Sequence, residues 1–404
     1  MAQRTDPLAR ERARLLMALA GLLTTGTTTA MGLEVSPYAG YRFESDTNLF
    51  DSPSGSRDAD QLHYATLGGD IDWNHARQHV TANAEATRVL YRDNDYLDHT
   101  DYRGNIDWDY AIGALLSGTA SYTGGRYLNG FENRSERDKD FIELHNPVVD
   151  MRLAITPHWS TLARIGYLDR RHTLATERRY DRTEIDSRAE LTYETTPGTR
   201  VTLGAARIDG DFPQRGADDA LAHGFTQHTP YLRLAWRYSG VSSFMAQGGY
   251  TWRNDSGDQA SDWSEPSGRV AYIRDVSGQT QLMFMAAQDI YSADSVAANA
   301  LRDRYGRVIL QWRYGPSLAL ASHYEWHRED YLGTTASNRR DTTQDYGAEL
   351  TWQPTDRLAL TAQISRMDRD SNLDDARFDK LVGGVGLRYT LNPQPRVEFG
   401  PERP

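Results

Sequence analysis

The stretch from Tyr346 to Asp370, YGAELTWQPTDRLALTAQISRMDRD, does most to limit what this chain can fold into. Tyr346, Ala348, Leu350 and Trp352 alternate with Gly347, Glu349 and Thr351, and a period of two puts the apolar and polar rows on opposite faces of an extended strand. Gln353-Pro354-Thr355-Asp356 carries turn chemistry, and beyond it Leu358, Leu360, Ala362 and Ile364 restart the apolar row against Thr361, Gln363 and Ser365. The pattern is a hairpin whose arms can each cross a membrane as tilted strands, which takes about 9–11 residues. Its far end runs out into a polar segment, Met367 to Asp375, that reads as a loop, and Trp352 falls where an aromatic girdle would meet the interface.

No window of the sequence approaches the run of about 18 apolar residues that a membrane helix needs, and mean hydropathy is -0.68. Yet 23 Tyr and 9 Trp are many for so polar a chain. A barrel with a wet interior reconciles the two, because only every second strand residue has to be apolar. The formal charge of -11 argues against nucleic-acid binding. Lys139 and Lys380 are the only lysines, so nearly every cation is an arginine, which forks toward carboxylates and sugar oxygens. Cysteine is absent, which excludes disulfides and thiolate metal sites.

Arg4, Arg10, Arg12 and Arg14 precede the apolar run Leu15–Leu23 and the small residues Thr24 to Ala30, so residues 1–30 read as a signal peptide of an exported protein. No linker divides the remainder of the chain: 31–391 reads as one barrel, and 392–404 as a C-terminal periplasmic tail. Long alternating pairs recur along it with tight turns at Asn74–Arg77, Thr156-Pro157-His158, Thr196-Pro197-Gly198, Ser239-Gly240, Val276–Gly278 and Gly315-Pro316. Polar loops fall at Glu44–Asp60, Arg92–His99 and Leu128–Asp140. The expected fold is all-β, a single transmembrane antiparallel β-barrel of about 18 strands with short periplasmic turns and longer extracellular loops. Arg207, Met283 and Met285 blur the alternation and leave a count of about 16 open. Both termini fall on the short-turn rim, in the cell outer membrane, and a water-filled lumen is expected at this size.

The inward rows carry both signs of charge. The candidate lumen-lining residues are Arg103, Asp107, Asp109, Arg152, Arg164, Glu184, Arg188, Arg233, Arg237, Arg307, Arg313, Glu325, Glu349 and Arg388. They read either as cross-strand pairs that keep the wall rigid or as a track for a hydrated, hydroxyl-rich or charged solute. His323, Glu325 and His327 share a strand face, but same-face neighbours stand about 7 Å apart, too far for three to ligate one ion, so no metal is assigned. Asp368-Arg-Asp370-Ser-Asn372 with Asp379 is a near miss to a calcium loop, with Leu373 where glycine is needed. The loop aromatics Tyr96, Phe131, Trp263 and Tyr331 could stack on sugars or simply pack. No nucleophile elbow, zinc-protease motif or phosphate loop is present, and His158 with Ser160 is the one pair with catalytic colour, so neither an enzyme nor a cofactor is expected.

The opening SPYAGYRFESDTNLF, residues 36–50, sets a first strand directly before Asp46-Thr-Asn48-Leu-Phe50. This element resembles the EpsL-type outer-membrane β-barrel proteins of exopolysaccharide biosynthesis, within the wider porin-like group. The resemblance implies a Gram-negative barrel that exports a newly made polysaccharide together with a periplasmic polysaccharide export protein. From the residues alone, a general or sugar-selective diffusion porin stands beside that reading, and an outer-membrane enzyme or adhesin is the alternative of another class.

Overall fold

Residues that alternate in polarity pair into long antiparallel strands because each then offers one face to lipid and one to water. The computed structural model describes residues 32–392 apart from 135, 197, 217–218, 258–261, 295 and 334–338. The signal peptide, the tail beyond Asn392 and Pro197 of the Thr196–Gly198 turn lie outside the described residues. The strands are β1 Leu33–Asp46, β2 Asp60–His75, β3 Gln78–Tyr91, β4 His99–Ile112, β5 Leu116–Leu128, β6 Phe141–Ala154, β7 Trp159–His172, β8 Arg182–Glu194 and β9 Arg200–Asp211. They continue as β10 Gly224–Ser239, β11 Ser242–Ser256, β12 Trp263–Ser277, β13 Thr280–Ser292, β14 Ala300–Tyr314, β15 Leu318–Leu332, β16 Arg340–Thr355, β17 Leu358–Ser371 and β18 Phe378–Thr390.

Each strand pairs with its neighbours in sequence, and β18 closes on β1 from Tyr38↔Thr390 to Asp46↔Val382, so the 18-stranded sheet has no free edge. Pro37, which cannot donate, pairs with Gly69 of β2 and lies outside the β1–β18 ladder. One rim has connections of two to five residues, and the other has loops of six to thirteen. Strands of 12 to 16 residues are about 40–50 Å long, more than an apolar band about 25 Å tall requires even at a tilt of about 40°. They therefore project beyond the membrane on the loop side.

The outward rows define that band. Exposed Ile106, Val149, Ile165, Leu203, Leu232, Ile364 and Val385 fill its middle. Below them Trp108–Tyr110, Trp159–Tyr193, Trp236–Tyr238 and Trp312–Tyr314 lie 4.9–5.9 Å apart as a periplasmic girdle, which Trp352 joins. Tyr102, Tyr122, Tyr167 and the Tyr250–Trp252 pair form the outer girdle. A closed barrel with an apolar belt between two aromatic rings is an outer-membrane protein.

The structure has 18 strands, not 16. Arg207 faces outward at the loop end of β9, held by Asp209 at 2.7 Å, while Met283 and Met285 face inward opposite Ile273 and Ala271. Three sequence boundaries also move. The polar segment from Met367 is not a loop as far as Ser371, because β17 extends above the membrane, where its outward residues can be charged. Strand β1 likewise runs on to Asp46. Strand β16 continues to Thr355, with Pro354 accommodated in a register shift between Trp352 and Thr355.

Candidate functional site

Register decides which side chains reach the bore. Arg103, Asp107 and Asp109 of β4 pair with Glu85, Thr81 and His79 of β3, on the face opposite the exposed Tyr102, Ile106 and Trp108. The same bookkeeping puts Arg152, Arg164, Glu184, Arg188, Arg233, Arg237, Arg307, Arg313, Glu325, Glu349 and Arg388 on the inner face of their strands. Many have partners there. Arg233 meets Glu190 at 2.7 Å, Arg388 meets Asp70 at 2.9 Å, Glu184 meets Arg182 at 3.0 Å, and Arg152 donates to Ser160 at 3.2 Å. Asp109 accepts from Thr119 at 2.6 Å and Asp107 from Asn105 at 3.3 Å, whereas Arg103 leans over the Tyr127 ring.

Two banks of paired charge face each other, because β7 and β16 are half a circuit apart in the strand order. On one bank Arg164 lies 3.8 Å from Asp150 and 3.7 Å from Asp186, and Arg164 Nε, Asp150 Oδ1 and Asp186 Oδ1 are shielded yet have no hydrogen-bond partner among the described residues. On the other, Arg307 Nε is 2.7 Å from Glu325 but out of line for a hydrogen bond, His327 is 3.2 Å from Asp303, and His323 is 3.5 Å from Asp345. Each member of the row His323, Glu325 and His327 therefore has its own cross-strand partner, and the side chains of Glu325 and His327 also meet, at 3.4 Å, despite the spacing of their backbones. Between the banks, the lower wall of β11–β13 is apolar, with Met245, Ala271, Ile273 and Met283 buried side by side.

Two outer loops cross the bore as separate chords, which the sequence pattern does not reveal. The 129–140 loop leaves β5 and reaches β16 and β17, six strands away, where Arg369 donates to the Glu132 carboxylate at 2.9 Å and to its carbonyl at 2.9 Å. Arg339 donates to Asn133 at 2.8 Å and to Asp341 at 2.6 Å. The 293–299 loop leaves β13 and reaches β7, where Asp294 pairs with Arg170 and lies 3.4 Å from His172 Nε2. Its Asn299 is gripped by Arg253 Nη2 at 2.9 Å and accepts the Ala222 N–H at 2.9 Å. Arg253 is fully buried, 2.8 Å from Asp255 and stacked on Phe225 at 3.5 Å.

His172 joins both chords to the wall, since its Nδ1 donates to Asp140 at 2.7 Å. Burial works to raise the Asp140 carboxyl, but the bonds from His172 and the Leu174 N–H outweigh it and hold it below the usual range. Asp294 is lowered in the same way: burial opposes ionisation, and the His172 bond with the Arg170 and Arg182 charges prevails. Glu177 brings a third ligand atom within 4.8 Å of those of Asp140 and His172. Both imidazole nitrogens already face carboxylates, so the cluster is an ion-pair knot rather than a metal centre.

The remaining sequence candidates are accounted for by packing. His158 Nδ1 donates to the Glu194 carbonyl at 2.9 Å while Ser160 accepts from Arg152, so the two do not form a dyad. Asp368, Asp370 and Asp379 each lie beside an arginine, Arg366, Arg377 and Arg57, and build no calcium loop. Phe131 and Tyr331 are buried in loop cores with Phe50 and with Ala298, respectively, and Trp263 opens β12. Tyr96 alone of the four is exposed, its hydroxyl 3.2 Å from the Arg137 carbonyl.

No family model matches the sequence, and no curated protein matches it. Solved structures of similar layout include Pseudomonas aeruginosa OpdK with vanillate, at 11% identity over 88% of this chain and 98% of that one, with a TM-score of 0.49. Others are P. aeruginosa OccK2 (OpdF) in complex with glucuronate, at 11%, 89% and 98% with 0.48, and a BenF-like porin from Pseudomonas fluorescens Pf-5, at 10%, 88% and 98% with 0.48. At such identities and scores the likeness says nothing about what passes through this barrel; the fold stands on its own strand order. None of these comparisons carries the exopolysaccharide resemblance of the Asp46–Phe50 element.

Proposed function

We propose that this barrel is a passive outer-membrane channel for small hydrophilic solutes, with the charged banks of β6–β8 and β14–β16 as the track they follow. The observation that carries the reading is the pair of loops tied across the bore by ion pairs to Arg369 and Arg170. In this reading small molecules pass beside the loops and a polymer is obstructed by them. The Arg164, Asp150 and Asp186 side chains stay partly open to the bore and are paired only at 3.7–3.8 Å, which suits transient contacts to solute hydroxyls or to water. Arg188, Arg307 and Glu325 of the banks, together with Arg103 on β4, are solute contacts in this reading, not catalysts.

Export of a polysaccharide with a periplasmic export protein requires both chords to swing clear together, breaking the Arg369 and His172 contacts at once. That cost is why the small-solute reading is preferred. Swelling of proteoliposomes in isosmotic sugars tests it: mono- and disaccharides are expected to enter, and long dextrins to be excluded. Equal entry of dextrins, or no entry of any sugar, contradicts the proposal.

A further inference from the structure

On the outward face, at the loop-side edge of the lipid belt, Arg304 of β14 and Arg328 of β15 stand directly opposite one another in the ladder. Like charges so placed repel, and their surroundings do not neutralise them. One carboxylate, Asp330, serves three arginines, at 2.9 Å from Arg302, 2.7 Å from Arg340 and 3.6 Å from Arg304. Arg302 also pairs with Glu265, and Arg304 Nε donates to Gln288 at 2.7 Å. Asp368 and Asp370 of β17 are taken up by Arg366 and Arg377. Arg328 has no carboxylate at ion-pair distance among the described residues, and its shielded Nε has no hydrogen-bond partner.

Immediately toward the membrane the same two rows turn apolar. Gly306 and Trp326 come next after the arginine pair, and then Val308 and Tyr324. Gly306 lies in a groove of about 350 Å³ walled by Val270, Phe284, Ala286, Tyr324 and Trp326, and a Cβ at Gly306 would meet nothing within 4 Å. A cationic fork with an apolar furrow beneath it, on one axis normal to the membrane, matches a molecule with an anionic head and a hydrocarbon tail.

We propose that this patch binds an anionic lipid of the outer leaflet, with a phosphate between Arg304 and Arg328 and an acyl chain along the Gly306 groove. Guanidinium groups hold phosphate oxygens in pairs, and a phosphate between them converts the repulsion into attraction. A free phosphate would satisfy the arginines but leave the furrow unused, which is why a lipid is the occupant.

The test is lipid retention by the full-length protein in detergent, measured by native mass spectrometry with added lipid A. The Arg304→Gln/Arg328→Gln variant is expected to bind about tenfold more weakly or worse, and Gly306→Phe, which fills the groove, to weaken binding too. Arg207→Gln, whose arginine is outward but paired with Asp209, should bind like the parent. Inorganic phosphate at the same concentration should not displace the lipid. The parent alone gives a second readout, because raising salt to about 1 M, where the Debye length is about 3 Å, should release the lipid. Equal retention by the parent and the double variant, indifference to salt or to Gly306→Phe, loss in Arg207→Gln, or displacement by phosphate would each overturn the site.

Discussion

Arg369 shows how much of the bore rests on single side chains. Only 3% of it is exposed, and it holds the 129–140 loop through Glu132 and Asn133. Arg369→Ala should cost about 2 kcal/mol rather than the 3–5 of a fully buried pair, because the Glu132 side chain is 43% exposed and rehydrates once freed. The freed loop should raise single-channel conductance in planar bilayers; an unchanged conductance would mean that the loop is held by something else. Acid acts where His172 joins the two chords. Asp140 and Asp294 have lowered native pKa values, so their bonds to His172 contribute above the free carboxylate range and are lost as pH falls through the native values. Conductance should therefore rise below about pH 4, and Asp294→Asn should show the higher level at neutral pH and lose most of that acid step. Asp51 has the opposite sign. Burial pushes it up to about 6 against the attraction of Lys380 2.8 Å away, so its contribution is present below the free carboxylate range and lost as pH rises through about 6. Amide exchange in the 47–59 loop, corrected for intrinsic rate, should be slower at pH 5 than at pH 7.5. Such knots were not legible in the sequence: Asp140 lies 32 residues from His172, and Glu132 lies 237 from Arg369.

The strands were legible because a period of two survives in any sequence that must separate lipid from water, as Tyr102 to Tyr110 shows. Their contacts were less so, since they depend on register. Tyr110 of β4 lies across Gly118 of β5 and donates to the Asp150 carbonyl at 3.0 Å, and a Cβ on Gly118 would overlap both the ring and that carbonyl. Tyr231 covers Gly204 and Phe225 covers Gly210 on the inner face in the same manner. All three lie flat on a neighbouring strand instead of projecting, and for Tyr231 and Phe225 this keeps the wall thin where the bore must stay open. Gly118→Val should cost about 1–3 kcal/mol or more by overpacking, visible as a smaller heat-resistant folded fraction on gels, whereas Gly278→Ala in an open turn should change little because nothing lies within 4 Å of its Cβ position. Equal folded fractions would remove the packing argument.

At the scale of the molecule, alternation and loop asymmetry were enough to read a closed barrel with a polar interior, and they left the strand count open because Arg207 and the two methionines break the pattern for local reasons. The bridging of the bore lay beyond sequence reading, because a loop of twelve residues looks alike whether it stands up into solvent or folds inward. What the barrel passes depends on that difference. Single-channel recording of the parent and of a variant lacking residues 293–299 tests it most directly. A conduit for small solutes should show steady ohmic conductance in the parent and a larger steady conductance in the variant. A parent that stays silent until the loop is removed would mean that the bridges seal the bore, and would contradict an open channel for small solutes.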